Sequence, residues 1–344
     1  MDTQWRIETR GDPIGAVRNF IGAIWEKGDL NGMMVPLNVD SIDGTRPRLI
    51  NKPELLEHVN PFKPVMMVNA ANLIPAFLER TPGARIGVIL RPCEMRALTE
   101  MTKHGKLSMD QVITICVDCL GTLPLEDYQW RAEHKGSGER LTQEALQFAR
   151  QGGILSYRYR SACQMCTAPE ARGADLNLNV LGLPVRQCIL IQTIDAATAE
   201  RFDLVGITDG AADQELVDQH ERVLFKLSQR HNHTMQRLFD TLADYLPADV
   251  EALVEQLNEC GDCQSCMDVC PICSIARPIR AEDGHYTRLD VMRWLVSCSA
   301  CGMCEQVCPN HLPLSATFGY IREQLIQEFG YAPGRSVDDP LPPL

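Results

Sequence analysis

The sequence of 344 residues lacks the segments and motifs that mark several large classes of protein. No apolar run approaches the roughly 18 residues that a membrane-spanning helix needs. The first residues, MDTQWRIETRGDP, contain neither an apolar segment nor a small-residue cleavage site, so we expect no secretory signal. No G-x-G-x-x-G follows a predicted strand and no P-loop lysine is present, so the usual fingerprints for NAD and ATP are missing. Without a Ser-His-Asp order or paired carboxylates, the chain does not look built to break substrate bonds itself.

Positive charge is also scarce. Lysine and arginine number 33 against 45 aspartates and glutamates, which gives a formal net charge of −12. This balance argues against a nucleic-acid binder or a protein of anionic membranes, because both need basic surfaces. Hydrophobic residues make up 45% of the chain, an ordinary share for a globular protein. The length predicts two or three domains.

Cysteine, by contrast, is abundant, with 15 in the chain. Disulfides are unlikely to form in a chain without an export signal, since reducing compartments keep thiols free. Cysteines at regular spacings in such a protein indicate metal binding. We therefore expect a cytoplasmic metalloprotein.

The first 200 residues alternate between strand-like and helix-like patterns, which predicts an α/β domain with a mixed sheet and helices. Short runs rich in Val, Ile and Leu are typical of strands buried on both faces. These runs are residues 32–37, 84–90, 111–117 and 187–194. A first helix is expected over residues 15–28, because its apolar residues recur at helical spacing.

The rest of the chain reads as helical, and its cysteine runs predict a mainly helical ferredoxin-type C-terminal domain. A long apolar stripe predicts a helix from about residue 213, on which His231 and His233 are expected to be solvated. The closing PGRSVDDPLPPL is Pro-rich and predicts an extended arm. The predicted divisions are an α/β domain over 1–205, a helical connector over 206–250, a dicluster ferredoxin domain over 251–325 and a Pro-rich tail over 326–344.

Two C-terminal stretches repeat one pattern. CGDCQSCMDVCP at 260–271 and CSACGMCEQVCP at 298–309 both read C-x2-C-x2-C-x3-C-P. In two-cluster ferredoxins the fourth cysteine of each run binds the other cluster. The pattern therefore predicts two 4Fe-4S clusters, one held by Cys260, Cys263, Cys266 and Cys308, and the other by Cys298, Cys301, Cys304 and Cys270. Structural zinc is the weaker alternative, because it needs only four ligands in total.

Six more cysteines precede these runs. Cys93 and Cys119 each follow a predicted strand, and Cys163 and Cys166 form a C-x2-C pair. Ligands gather at the carboxyl ends of strands in α/β sheets, so these four thiols are candidates for a third cluster, with zinc or free thiols as alternatives. Cys116 and Cys188 lie inside predicted strands and are expected to be core residues, and Cys273 is expected to be a small buried side chain beside a cluster rather than a ligand.

The stretch RPCEMRALTEMTKHGKLSMDQVITICVDCLGT, followed by CQMCTAPEARGADLNLNVLG, resembles the beta subunits of coenzyme F420-dependent hydrogenases and dehydrogenases. Both have a Pro-Cys turn, a strand ending in Cys, and a C-x2-C pair before Ala-Asp-Leu. The layout is most similar to the formate dehydrogenase beta subunits, which also append a dicluster domain and end in a tail like DPLPPL. The resemblance covers most of the chain and is weaker over residues 38–80 and 122–155.

The resemblance implies that Cys93, Cys119, Cys163 and Cys166 hold a third 4Fe-4S cluster. It also implies FAD in the α/β domain, which would split a hydride from the deazaflavin coenzyme into single electrons. The family's Gly-Gly-Ala-Val-Thr turn is matched only at Gly15, Ala16 and Val17 of PIGAVRN, and these residues are the flavin-binding candidates. Arg91, beside the Pro-Cys turn, is either a further contact to flavin or phosphate or a solvated charge at a helix end.

Two hypotheses of function follow. The first is an electron-transferring subunit that works between a molybdenum or tungsten formate dehydrogenase catalytic subunit and coenzyme F420 or another two-electron acceptor. The second is a flavin-free iron–sulfur adaptor that connects a catalytic subunit to a heterodisulfide-reductase-like or hydrogenase partner. The incomplete glycine turn favours the second, and the cysteines fit both. A zinc-binding scaffold is a third and weaker alternative.

Overall fold

A computed structural model describes residues 4–39, 43–152 and 158–344 of the chain. Its N-terminal half is built on one seven-stranded sheet with the order β1-β7-β6-β5-β4-β2-β3. The strands are β1 (Gln4–Glu8), β2 (Gly32–Val39), β3 (Gly44–Ile50), β4 (Ile86–Leu90), β5 (Val112–Val117), β6 (Leu176–Asn179) and β7 (Cys188–Thr193).

The four central strands run parallel, and the outer ones are antiparallel. Strands β2, β4, β5 and β6 pair in parallel, whereas β3, β7 and β1 add in antiparallel fashion. Every residue of β4 (IGVIL) and β5 (VITICV) is buried, because helices cover both faces of the sheet. The predicted α/β class with a mixed sheet is confirmed.

Helices of the N-terminal half flank this sheet. They are α1 (Pro13–Lys27), α2 (Ile74–Arg80), α3 (Pro92–Lys103), α4 (Leu125–Lys135), α5 (Gly138–Gln147), α6 (Ser161–Gln164), α7 (Ala196–Arg201) and α8 (Leu204–Ile207), with 3-10 turns at Pro53–His58, Ala70–Leu73 and Ala149–Gln151. Helix α3 begins directly after β4 because Pro92 is fixed for a first helical position and the Glu94 carboxylate accepts the Arg91 backbone N–H at 2.8 Å.

The C-terminal half is helical, as predicted. Its helices are α9 (Gln214–Thr241), α10 (Val250–Glu259), α11 (Ser265–Asp268), α12 (Cys273–Ala276), α13 (Arg288–Val296), α14 (Met303–Gln306) and α15 (Leu314–Phe329). Trp294 of α13 is the centre of its core and meets Phe318 of α15 edge-on, with ring centroids 4.8 Å apart. No described helix is both long and apolar enough to cross a membrane.

The C-terminal arm, residues 330–344, is hydrogen-bonded to the α/β half. The Tyr331 hydroxyl donates to the buried carboxylate of Glu100 on α3, at 2.6 and 2.7 Å, and the Gly334 backbone N–H donates to the same carboxylate at 2.7 Å. The ammonium group of Lys103 lies over the Tyr331 ring, 4.2 Å from its centroid. The arm therefore ties the two halves together instead of extending into solvent.

Three strands do not follow from the apolar runs of the sequence. Strand β3 carries two arginines and a proline, which suits an edge strand whose second side is unpaired. Strand β6 is only four residues long, and β1 lies at the other edge of the sheet. These strands are set by pairing with distant neighbours, so a search for buried apolar runs does not detect them.

Candidate metal centres

The first cysteine set, Cys260, Cys263, Cys266 and Cys308, lines one small cavity of about 50 Å³. Helix α10 ends at Cys260, and the Asp249 side chain caps the start of that helix by accepting the Ala252 backbone N–H at 2.9 Å. Two ligand candidates of the set reach the surface, since Cys260 and Cys263 are exposed, whereas Cys308 is buried. The residues of the two runs thus meet as the crossed pattern predicts, although the ligand assignment itself stays a prediction.

The pKa values of the thiols in the first set depend on how exposed each thiol is. Burial, followed by the negative charge of neighbouring thiolates, raises the pKa of Cys266 to about 11. At the surface, hydrogen bonds from Ser265 lower the pKa of Cys263, and the Ser265 hydroxyl lies 3.4 Å from its sulfur. Bound metal ions would supply positive charge near Cys266 and so oppose this rise in its pKa.

The second cysteine set is Cys270, Cys298, Cys301 and Cys304. Helix α13 leads into it, and Cys301 is its buried member. Burial raises the pKa of Cys304 well above its usual value, and the charges of Cys301, Cys298 and Cys270 raise it further. The pKa of Cys298 is raised to about 12 by burial, an effect that the nearby Arg322 partly opposes.

Cys270 accepts more hydrogen bonds than its neighbours in the set. The indole N–H of Trp294 donates to its sulfur at 3.4 Å. Cys273, which is buried as expected, donates a side-chain hydrogen bond to the same atom, and this bond is the main reason why the pKa of Cys270 falls to about 7. The Cys273 thiol keeps its proton, because the pKa of Cys273 is raised by that bond and by burial. The extra cysteine therefore contacts a ligand candidate without being needed as a ligand.

The third cysteine set, Cys93, Cys119, Cys163 and Cys166, also lines one cavity, of about 40 Å³. Strands β4 and β5 are adjacent and parallel, so the residues that follow them emerge at the same edge of the sheet. Cys93 lies in the first turn of α3 and Cys119 lies two residues beyond β5, whereas α6 carries Cys163. The tertiary fold thus brings together four cysteines that are up to 73 positions apart in sequence (166 − 93).

A buried carboxylate organises the backbone around the third set. Asp118, directly after β5, accepts the backbone N–H groups of Ala171 at 2.7 Å, Val180 at 2.8 Å and Leu181 at 2.9 Å. The Asn179 amide donates to it at 3.2 Å. These four bonds join the end of β5 to the loop that follows the C-x2-C pair and to the end of β6.

A buried arginine lies beside the same set. Arg160 donates from Nε to the Thr122 hydroxyl at 2.8 Å, and that hydroxyl lies 3.3 Å from the Cys163 sulfur. Burial tends to raise the pKa of Cys163, but the positive charge of Arg160 and hydrogen bonds from Thr122 outweigh it, so the pKa is lowered. For Cys93 and Cys119 burial prevails and both pKa values are raised.

The three sets stand in series. Cys301 of the second set forms part of the wall of the third set's cavity, and its charge acts on Cys93. At the other side, the charge of Cys266 in the first set acts on Cys304 of the second. The second set is therefore the middle one, and the exposed first set lies at one end.

The donor chemistry of these sites fits iron–sulfur clusters. Each set offers four thiols, and the first and third each surround one small cavity. Within the described ranges, no three His, Cys, Asp or Glu side chains converge tightly enough to hold a single metal ion. Thiolates around a four-iron cluster stand farther apart than those around one ion, so this spacing is compatible with clusters.

His231, which was expected to be solvent-exposed, lies at the third cysteine set instead. His231 of α9 is buried, lines the third set's cavity, and places Nδ1 2.5 Å from the Cys166 carbonyl oxygen. The expectation that it is solvated was wrong, because α9 packs against α6 along this part of its length, whereas His233 is exposed. Burial lowers the pKa of His231, which favours the neutral ring.

The predicted flavin residues already have partners within the protein. The Asp12 carboxylate accepts the Gly15 backbone N–H at 2.9 Å, at the helix end where a phosphate would have to bind. Val17 is fully buried in the sheet core and Ala16 packs against that core. Arg91 lies elsewhere and donates to the carbonyls of Lys63 and Val65, both at 2.8 Å. The Asp12 carboxylate thus takes the helix N-terminus that a flavin phosphate would need, and the assignment of these residues to flavin stays a prediction.

A larger cavity, of about 660 Å³, opens between the two halves of the chain. Its walls come from α3, α6, α9, α15 and the C-terminal arm, and they include Cys166 of the third set and Cys298 and Cys304 of the second. Apolar side chains such as Phe239 and Phe318 dominate the remainder. This volume is in the range of small-ligand sites, and it borders two of the three cysteine sets.

Comparison with known proteins agrees with this arrangement. Residues 255–312 match the family model described as a 4Fe-4S dicluster domain. The predicted resemblance is confirmed. The F420-dependent formate dehydrogenase subunit beta of Methanocaldococcus jannaschii is 24% identical over an alignment covering 96% of this chain and 93% of the relative. The F420-dependent formate dehydrogenase 1 subunit beta of Methanococcus maripaludis is 23% identical, with 97% and 93% covered.

The fold also has a solved counterpart. A chain in a xenon-derivatised structure of the F420-reducing [NiFe] hydrogenase complex from Methanosarcina barkeri superposes with a TM-score of 0.50 and 12% identity, over 69% of this chain and 91% of that one. At this identity the likeness concerns the fold alone. The dicluster match supports 4Fe-4S clusters in the C-terminal part, whereas the number of clusters in the whole chain stays a prediction.

Proposed function

We propose that this chain is the electron-transferring iron–sulfur subunit of a cytoplasmic formate dehydrogenase-like complex. The observation that carries the proposal is the series of three cysteine sets, in which the wall of the third set's cavity includes a member of the second. Clusters held in these sets would supply one-electron transfer. The names of the relatives support formate as the source of electrons and coenzyme F420 as the acceptor.

The two ends of the series differ in a way that suits this role. The first set has two exposed cysteines, so it is accessible to the surface of a partner protein. The second and third sets border the 660 Å³ cavity, which has room for a two-electron carrier. We assign the catalytic partner, a molybdenum or tungsten subunit, to the end at the exposed first set. We assign the two-electron carrier to the opposite end, at the cavity beside the second and third sets.

The flavin-free adaptor is the second candidate, and one observation favours it. Asp12 already satisfies the N-terminal amide at Gly15 that the flavin hypothesis needs for a phosphate. A carboxylate at that position also repels phosphate. Under this hypothesis the chain connects a catalytic subunit to a heterodisulfide-reductase-like or hydrogenase partner and binds neither flavin nor deazaflavin.

Iron and flavin content per chain, measured on protein purified without oxygen, separates these candidates. The proposal expects about twelve irons, which corresponds to three four-iron clusters. About eight irons would remove the third cluster and refute the three-cluster series. One FAD together with twelve irons favours the F420-linked role. Twelve irons without flavin after reconstitution favours the adaptor, and reduction of coenzyme F420 by the flavin-free protein would contradict it.

A further inference from the structure

Arg160 is a charged side chain buried between two of the cysteine sets. It is 6% exposed, and all its hydrogen-bond partners are neutral groups or sulfur atoms. Besides the Thr122 hydroxyl, its guanidinium lies 3.4 Å from the Gln306 amide oxygen, 3.4 Å from the Met66 sulfur, 3.5 Å from the Met303 sulfur and 3.8 Å from the Cys163 sulfur.

No carboxylate is among its partners in the part of the chain that the structure describes. The Glu305 carboxylate bonds instead to the Ser161 hydroxyl and to the Ser315 backbone N–H. A buried charge without a counter-charge is strongly unfavourable, and arginine cannot escape the cost by losing its proton. The position therefore requires negative charge from another source.

The cysteine sets are that source. Arg160 lines the same cavity as Cys93, Cys163 and Cys301, and its guanidinium lies 3.8 Å from the Cys163 sulfur. Two of these cysteines belong to the third set and one to the second. The guanidinium thus lies within the field of both sets, in a buried region where salt screens charges weakly.

We propose that Arg160 is a positioning residue that sets the reduction potentials of the second and third clusters together. A fixed positive charge stabilises the more negative, reduced form of each neighbouring cluster, so Arg160 raises both potentials. Each reduction adds one electron and no proton, because the guanidinium stays charged throughout. The inference rests on the proposed function, since it needs a cluster in the third set.

The test compares Arg160→Gln, Arg160→Lys and the wild-type chain, each purified without oxygen and titrated by EPR-monitored reduction. Arg18→Gln is a matched control, because Arg18 also donates from Nε to a neutral group, the Val59 carbonyl at 2.8 Å, but lines none of the cavities that border the cysteine sets. Iron content is measured on the same samples.

We expect Arg160→Gln to lower the potentials of two clusters and to leave the cluster of the exposed first set unchanged. At a fixed solution potential the reduced-to-oxidised ratio of both affected clusters should fall at least tenfold, which is about 59 mV for a one-electron couple. Arg160→Lys should restore most of the shift, because it restores the charge, and Arg18→Gln should produce none.

Unchanged potentials in a fully loaded Arg160→Gln chain refute the inference, as does an equal shift in all three clusters. If Arg160→Gln loses the iron of one cluster, recovery of both the iron and the reduction potential in Arg160→Lys supports the role of the positive charge. If neither variant binds the full amount of iron, the role given to the charge is overturned. A wild-type chain with about eight irons removes the three-cluster function itself. The iron count thereby distinguishes that failure from a failure of the role given to Arg160.

Discussion

Replacing Asp118 by Asn should loosen the third cysteine set without unfolding the sheet. Its Oδ1 accepts from Ala171 and Asn179, and its Oδ2 accepts from the backbone N–H groups of Val180 and Leu181. An asparagine side chain keeps one carbonyl oxygen but replaces the second oxygen with an NH₂ group, which cannot accept a hydrogen bond. Two of the four bonds are therefore lost.

The size of the effect follows from the burial of these groups. Asp118 is 3% exposed, and Val180 and Leu181 are fully buried, so water cannot replace the lost acceptor. A buried donor left without a partner costs about 1–3 kcal/mol, which gives at least about 2 kcal/mol for two. Because each 1.4 kcal/mol is a factor of ten, local opening of this segment should become about 30-fold more frequent.

Hydrogen exchange monitored by mass spectrometry measures this opening directly. The backbone amides that lose their acceptor in Asp118→Asn, either those of Val180 and Leu181 or that of Ala171, should exchange up to about 30-fold faster than in the wild-type chain. Asp175→Asn is a matched control: the Asp175 carboxylate accepts from the Thr114 backbone N–H and hydroxyl, both at 2.7 Å, at the opposite ends of the same two strands. Both bonds end on the same oxygen, Oδ2, and an asparagine keeps one carbonyl oxygen that can accept both, so neither the Thr114 amide nor the amides around Asp118 should exchange faster in that variant.

Iron content links the result to the site. The Asp118 bonds hold the segment after the C-x2-C pair, so Asp118→Asn should lose iron from the third set, whereas the control keeps its full complement. Wild-type exchange rates at all three backbone amides, Ala171, Val180 and Leu181, would refute the reasoning, because they would mean that the carboxylate carries little of the local stability.

Three further predictions concern other parts of the chain. Trp294→Phe removes the N–H that bonds the Cys270 sulfur and should lower the reduction potential of the second cluster at unchanged iron content; EPR-monitored titration checks this, and an unchanged potential contradicts it. Tyr331→Phe removes the hydroxyl that bonds buried Glu100 and should cost about 1–3 kcal/mol in chemical denaturation. Burial and Glu100 raise the pKa of Tyr331 in the folded chain, so the free energy of unfolding of the wild type should fall as pH rises above about 10, the pKa of an unfolded tyrosine. The Phe variant should lack this part of the fall. Equal slopes of unfolding free energy against pH in the two proteins contradict the prediction. Cys308→Ala should remove about four irons, those of the first set, while the EPR signal of the second cluster persists; loss of both signals contradicts the crossed ligation.

Features that depend on local spacing could be predicted from the amino-acid sequence. The two C-x2-C-x2-C-x3-C-P runs predict the C-terminal iron–sulfur domain, and residues 255–312 match the dicluster model. The runs that became β4 and β5 were predicted from sequence because strands buried on both faces are rich in apolar residues. Helix α9 was predicted from its apolar stripe, because residues three and four positions apart lie on the same face of a helix.

The tertiary structure alone decided what surrounds these features, because contacts between distant residues leave no periodic signal. It placed Arg160 between the second and third sets, buried His231 against Cys166, and made Cys301 part of the third set's cavity. Spacing predicts which thiols can share a cluster, whereas the charges and hydrogen bonds that tune it are fixed only when separate elements pack together.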